Sequence, residues 1–142
     1  MIEPDEVLQM LLERCRRDHH AWINGDGSGY ALPPDGTILG AMGGYSLGGP
    51  DTTARQSAVA RQWRSGSGQL EFLNGAANDG VAWLAFIERA VVVFDDDPTE
   101  RRWDLRVTEV FRQSADGWHR VHRHADPLVD RWPLAEIASL LD

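Results

Sequence analysis

The sequence contains no lysine and one cysteine, Cys15. Without lysine no side-chain amine can form a Schiff base, and a single thiol excludes both an internal disulfide and a thiolate metal cluster within the chain. The fourteen basic residues are all arginine, which reads as coding bias rather than as a set of guanidinium forks for anions. Positive charge is scarce: twenty-two acidic residues leave a formal net charge of -8, which disfavours nonspecific binding to nucleic-acid backbones. No apolar run approaches the roughly 20 residues of a membrane span. The acidic start, Met1 to Glu6, lacks the basic and apolar regions of a signal peptide, so a cytoplasmic location is expected.

What is present suits one globular domain over residues 1–142, with 42% hydrophobic and 25% charged residues. Val7, Leu8, Leu11, Leu12, Cys15, His19 and Trp22 recur at helical spacing after Pro4, predicting an amphipathic helix that closes near Asn24-Gly25. A Gly- and Pro-rich loop follows, with a short turn around Tyr30 to Leu32. Short strands are expected at Thr37 to Ala41 and Tyr45 to Leu47, then a second helix from Asp51 or Thr52 to about Arg64, ended by Ser65-Gly66-Ser67-Gly68. Strands at Gln69 to Ala77 and Val81 to Phe94 meet at Asn78-Asp79-Gly80, a strong hairpin signal. Asp95 to Pro98 reads as a solvated turn without calcium-loop spacing, and Pro133 to Leu141 as a short terminal helix. The glycines of Gly40 to Gly49 do not follow the dinucleotide-binding pattern. Two sequential hairpins covered on one face by helices make an α+β domain.

The last hairpin carries the chemistry. Arg102 to Gln113 alternates with a period of two, and Trp118 to Ala125 returns. Gly117 suggests a three-residue loop with a bulge, pairing Ser114 with Trp118 and Glu109 with Arg123. One face then carries Trp103, Leu105, Val107, Phe111, Val121 and Ala125 around Glu109 and Arg123. The other carries Thr108, Val110, Arg112, Trp118, Arg120, His122 and His124. A four-residue loop would instead move Arg120 and His124 inward and set Glu109 beside His122; the first register leaves no unpaired charge among apolar residues.

Glu109 and Arg123 are therefore either a general acid or base with an anion clamp, or a buried structural ion pair. Glu88 lies on a strand apolar on both faces and needs a partner or a cavity. Trp63 and Trp22 are core aromatics, with pocket lining as the alternative. His122 and His124 share a strand face and could hold metal with Asp126, but zinc wants at least three well-placed ligands. The preferred reading puts them with Trp118 and Val110 in a subunit interface, with no metal and no cofactor.

The order of elements, the segments Leu39 to Gly48 and Phe86 to Ala90, and above all "RVTEVFRQSADGWHRVHRHADPLV" resemble SnoaL-like members of the nuclear transport factor two-like superfamily. The resemblance runs to about Val129. It implies a cone in which helices close over the concave face of a curved sheet, and a convex face that commonly forms homodimers. Glu88 matches the acidic residue of the family's "IER" segment. The function implied is a homodimeric binding module with a pocket for a small apolar or carboxylate-bearing ligand. The alternative is a cofactor-independent isomerase, cyclase or dehydratase acting on a carbonyl compound by proton transfer.

Overall fold

The computed structural model describes residues 4–142. Helix α1 spans Pro4–Trp22. Its buried stripe, Val7, Leu11 and Cys15, repeats every four residues and then turns polar at Asp18 and His19. Gly25, at φ 101°, reverses the chain, and a single 3-10 turn, Ser28–Tyr30, follows. Strands β1 (Thr37–Leu39) and β2 (Ser46–Leu47) precede helix α2 (Pro50–Ala60).

Helix α2 is shorter than the sequence suggests. It stops at Ala60, and Trp63 opens a strand instead of closing a helix, because Trp63 pairs with Phe94 and the Gln62 carbonyl accepts the Asp95 amide at 2.8 Å. Strand β3 (Trp63–Asn78) runs straight through the Ser-Gly-Ser-Gly segment expected to be a loop. The cause is close packing. A Cβ on Gly66 would stand 3.0 Å from Ile23, and one on Gly68 2.7 Å from His19, so these glycines let α1 lie directly on the strand.

Strand β4 (Val81–Phe94) follows a tight turn in which Asp79 and Gly80 both have positive φ. Strand β5 (Asp97–Arg102) pairs with the end of β4, which shortens the expected acidic turn to two residues and removes Arg102 from the last hairpin. That hairpin consists of β6 (Leu105–Ser114) and β7 (Gly117–Pro127), and a short helix α3 (Leu134–Ser139) ends the chain. The sheet order is β2-β1-β7-β6-β4-β3, with β5 paired to β4. All neighbours are antiparallel except β1 and β7, a parallel pairing that no local pattern announces.

The hairpin register corrects one expectation and keeps another. Ser114 pairs with Gly117, not Trp118, so the loop is tighter than expected, and a bulge at Val121 then restores the pairing of Glu109 with Arg123. Between turn and bulge the faces are exchanged. Arg120 pairs with Phe111 and points inward, contrary to its expected outer position, and Trp118 joins the inner core instead of the outer face. Val121, expected among the inner apolar residues, is the bulged residue.

Two apolar clusters fill the concave side. Val7, Leu11 and Cys15 pack on Leu84, Phe86, Val107 and Phe111; Ile23 and Ala60 pack on Trp63, Ala90 and Val92. Along the inner face of β4, Glu88 falls between them. Gly75 illustrates how tightly β3 is held: a Cβ there would stand 2.6 Å from the Trp83 carbonyl oxygen. Gly75→Ala should therefore cost about 1 to 3 kcal/mol, read as a lower urea midpoint with unchanged cooperativity.

Candidate functional site

The interior charges form one continuous network. The Arg120 guanidinium donates to Glu109 through Nε (2.9 Å) and Nη2 (3.1 Å), and its Nη1 donates to Asp18 (3.0 Å) and the Gly29 carbonyl (2.8 Å). Arg123 donates to both oxygens of Glu88 (2.9 and 3.0 Å) and to Glu109 (3.0 Å). The Cys15 thiol donates to Glu109 at 3.1 Å. Tyr30 sits under both cations, with its ring centre 4.8 Å from Arg120 and 4.9 Å from Arg123.

Each participant is delivered by local structure. The C-terminal half of α1 brings Cys15, Asp18 and His19; the 3-10 turn brings Gly29 and Tyr30; the bulge at Val121 lets Arg120 and Arg123, three residues apart, reach the same side. Glu109, Arg123 and Glu88 were legible as site residues, and the structure joins all three. Asp18, Arg120, Tyr30 and the role of Cys15 were not. The helical spacing that buries Cys15 extends to Asp18 and could have found it; a change of alternation at Val121 could have found Arg120.

Electrostatics decide what this network can do. Burial pushes the Glu109 carboxyl up, but the charges of Arg120 and Arg123 outweigh it and hold the pKa at about 2, below its ordinary 4.5. Glu109 is thus a fully enclosed carboxylate, with no exposed surface and no basicity near neutral pH. Burial pushes the Cys15 thiol far up, so it is no nucleophile.

Among the described residues, Arg123 is the one charged member of the network that lines an interior cavity, of about 50 Å³, together with Trp22, Tyr30, Ile38, Met42 and Trp103. Trp63 is not among the lining residues: it stands behind them, 5.0 Å from both Trp22 and Trp103, ring centre to ring centre. The outer face carries Trp83, Val110 and His122 in one row and Ala85, Thr108 and His124 in the next. His122 shares a hydrogen bond of 2.7 Å with Thr37, and His124 lies 3.8 Å from Asp126. Among the described residues no group of three His, Cys, Asp or Glu side chains is placed to hold a metal ion, and no helix is long and apolar enough to cross a membrane.

An N-terminal helix packed on a mixed, mostly antiparallel sheet is an arrangement shared with solved structures. The chain has the nuclear transport factor 2-like fold. It is similar to a candidate dehydratase of that family from Streptomyces avermitilis, with a TM-score of 0.76 and 16% identity over 89% of this chain and 99% of the other. A superfamily protein from Salmonella enterica matches with a TM-score of 0.73 and 15% identity, over 90% and 94% of the two chains. A ketosteroid isomerase-like protein from Erwinia carotovora matches with a TM-score of 0.72 and 12% identity, over 87% and 98%. At such identities the likeness is one of fold. No family model matches the sequence, and no curated protein does.

The depressed pKa of Glu109 ties stability to pH. Its contribution is complete above the unfolded-state pKa and is lost as pH falls from about 4.5 toward about 2. Glu109→Gln should remove that part of the pH dependence in urea unfolding and cost about 3 kcal/mol at neutral pH. Arg120→Met should cost about 3 to 5 kcal/mol by stranding Glu109 and Asp18, and the pair Glu109→Leu with Arg120→Met should cost less than the two single changes summed. Additive losses would show that the two side chains act independently.

Proposed function

We propose that this protein is a non-catalytic, homodimeric binding module whose cone cavity takes a compact acid with an apolar body. The observation that carries this reading is the identity of the charge at the cavity: Arg123 borders it, while Glu109 and Glu88 lie behind that guanidinium, both already engaged by it. A proton-transfer enzyme needs an acid or base facing the substrate with a pKa near working pH; this cavity offers a guanidinium, and a Tyr30 hydroxyl that burial pushes up and away from that range. The lining of Trp22, Tyr30, Ile38 and Met42 suits an apolar body. With about 50 Å³ of space, the cavity fits a group of a few heavy atoms, and the rest of a larger ligand would extend past Met42, which is exposed at the rim.

The dimer part of the reading rests on the outer face. Leu73, Val81 and Trp83 are exposed there beside half-buried Val110 and His122, an apolar patch with an imidazole at its β7 edge, and exposed apolar patches mark interaction surfaces. Trp118 takes no part, since it faces the interior.

Tryptophan fluorescence tests the cavity, because Trp22 and Trp103 line it. Acetate should give a saturable change with a Kd on the order of 1 mM, the range open to so small a ligand, while neutral acetamide should give none. An equal response to both would remove the charge recognition on which the proposal stands. Light scattering tests the interface: the protein should be a dimer at micromolar concentration, and Val110→Asp should make it a folded monomer.

A further inference from the structure

One buried group takes no part in the ion pairs. His19, on the last turn of α1, is 3% exposed, and its Nε2 has no hydrogen-bond partner. Glu88 Oε1 lies 3.9 Å from that nitrogen, beyond hydrogen-bond range. Both Glu88 oxygens are occupied by Arg123 instead. Glu88 therefore has a cation in contact on one side and an unpartnered imidazole nitrogen just out of reach on the other.

The charge balance around that imidazole matters to its proton affinity. Asp18, Glu88 and Glu109 are matched by Arg120, Arg123 and, from the edge of the network, Arg14, whose Nε is 3.7 Å from Asp18; Arg17, 3.9 Å from Asp18, is 72% exposed and screened by water, so it stands outside the buried set. The set is neutral as it stands. An acid seated on Arg123 brings one further negative charge into a poorly solvated place, where an unmatched charge is costly.

We propose that His19 takes up a proton when an acid binds Arg123, so that Glu88 exchanges part of its contact with Arg123 for an ion pair with the imidazolium. The inference rests on the reading of the cavity as an acid site. The groups facing His19 are Glu88 on β4, Glu109 on β6, Arg123 on β7, and His20 and Arg16 on its own helix. Burial lowers its proton affinity, Glu88 raises it, and Arg123 lowers it again; a ligand carboxylate that neutralises Arg123 removes the last of these. The proton has a way in. A cleft of about 400 Å³ between α1 and β3, lined by Arg16, His20, Gln69 and Leu70, reaches the imidazole where it lies on Gly68.

Acetate titrations by calorimetry in buffers of different ionisation enthalpy, between about pH 6 and 8, test this. Wild type should take up about one proton per acetate, with affinity rising up to about tenfold per pH unit lowered. His19→Gln should still bind acetate without that uptake; unchanged uptake would place the proton elsewhere and overturn the proposal. A second arm needs no ligand. The midpoint of the His19 ring, followed by NMR, should rise by about one unit or more in Arg123→Gln and fall in Glu88→Gln. A midpoint unmoved in both would overturn the coupling. Failure of acetate to bind wild type would instead sink the acid-site reading, leaving the ligand-free midpoints to decide the role of His19.

Discussion

The contact between Arg120 and Glu109 sets the terms for the rest of the interior. Both side chains are withdrawn from water, and desolvating two ions costs several kcal/mol each unless their remaining hydrogen-bonding capacity is met. The surroundings meet most of it. Asp18 and the Gly29 carbonyl take the third donor edge of Arg120, the Cys15 thiol reaches Glu109, and the Tyr30 ring covers the guanidinium. These partners come from α1, the 3-10 turn, β6 and β7, so the pair ties together segments as far apart as residues 18 and 120. Gly29 is part of the same constraint: a Cβ there would collide with the Asp18 carboxylate.

The bulge at Val121 makes this possible. In a regular strand, residues 120 and 123 would face opposite sides of the sheet. One extra residue puts both arginines inside and still leaves His122 and His124 outside. The two guanidiniums then divide their work by position. Arg120 is enclosed by α1 and the 3-10 turn, whereas Arg123 spans from Glu109 to Glu88 and touches the cavity. The chemical character of the cone follows, with carboxylates held as structural anions and a cation at the open end.

Much of the fold was legible because its signals are local. The periodicity of α1, the Asp79-Gly80 turn and the alternation of β6 depend on residues near one another in the chain, and each appears where expected. Boundaries failed where a distant partner decided them. Trp63 looks like the last turn of a helix until Phe94 captures it in the sheet, and Ser65 to Gly68 looks like a linker until α1 is seen lying on it. The site followed the same division. Glu109, Glu88 and Arg123 stood out because charge on an apolar strand face demands a partner. The faces of Arg120 and Trp118 differ from what alternation alone predicts, because both lie between the turn and the bulge at Val121.

By itself the sequence determined the class of domain, the helices and hairpins, and the presence of charges that must meet inside. Those properties follow from periodicity and from the cost of an unpaired buried charge, both of which act residue by residue. Which charges meet was decided only by the tertiary structure. A one-residue change of register reverses the face of every side chain beyond it, and the space left at Arg123 depends on how Tyr30, Trp22 and Trp103, from three separate segments, pack around it.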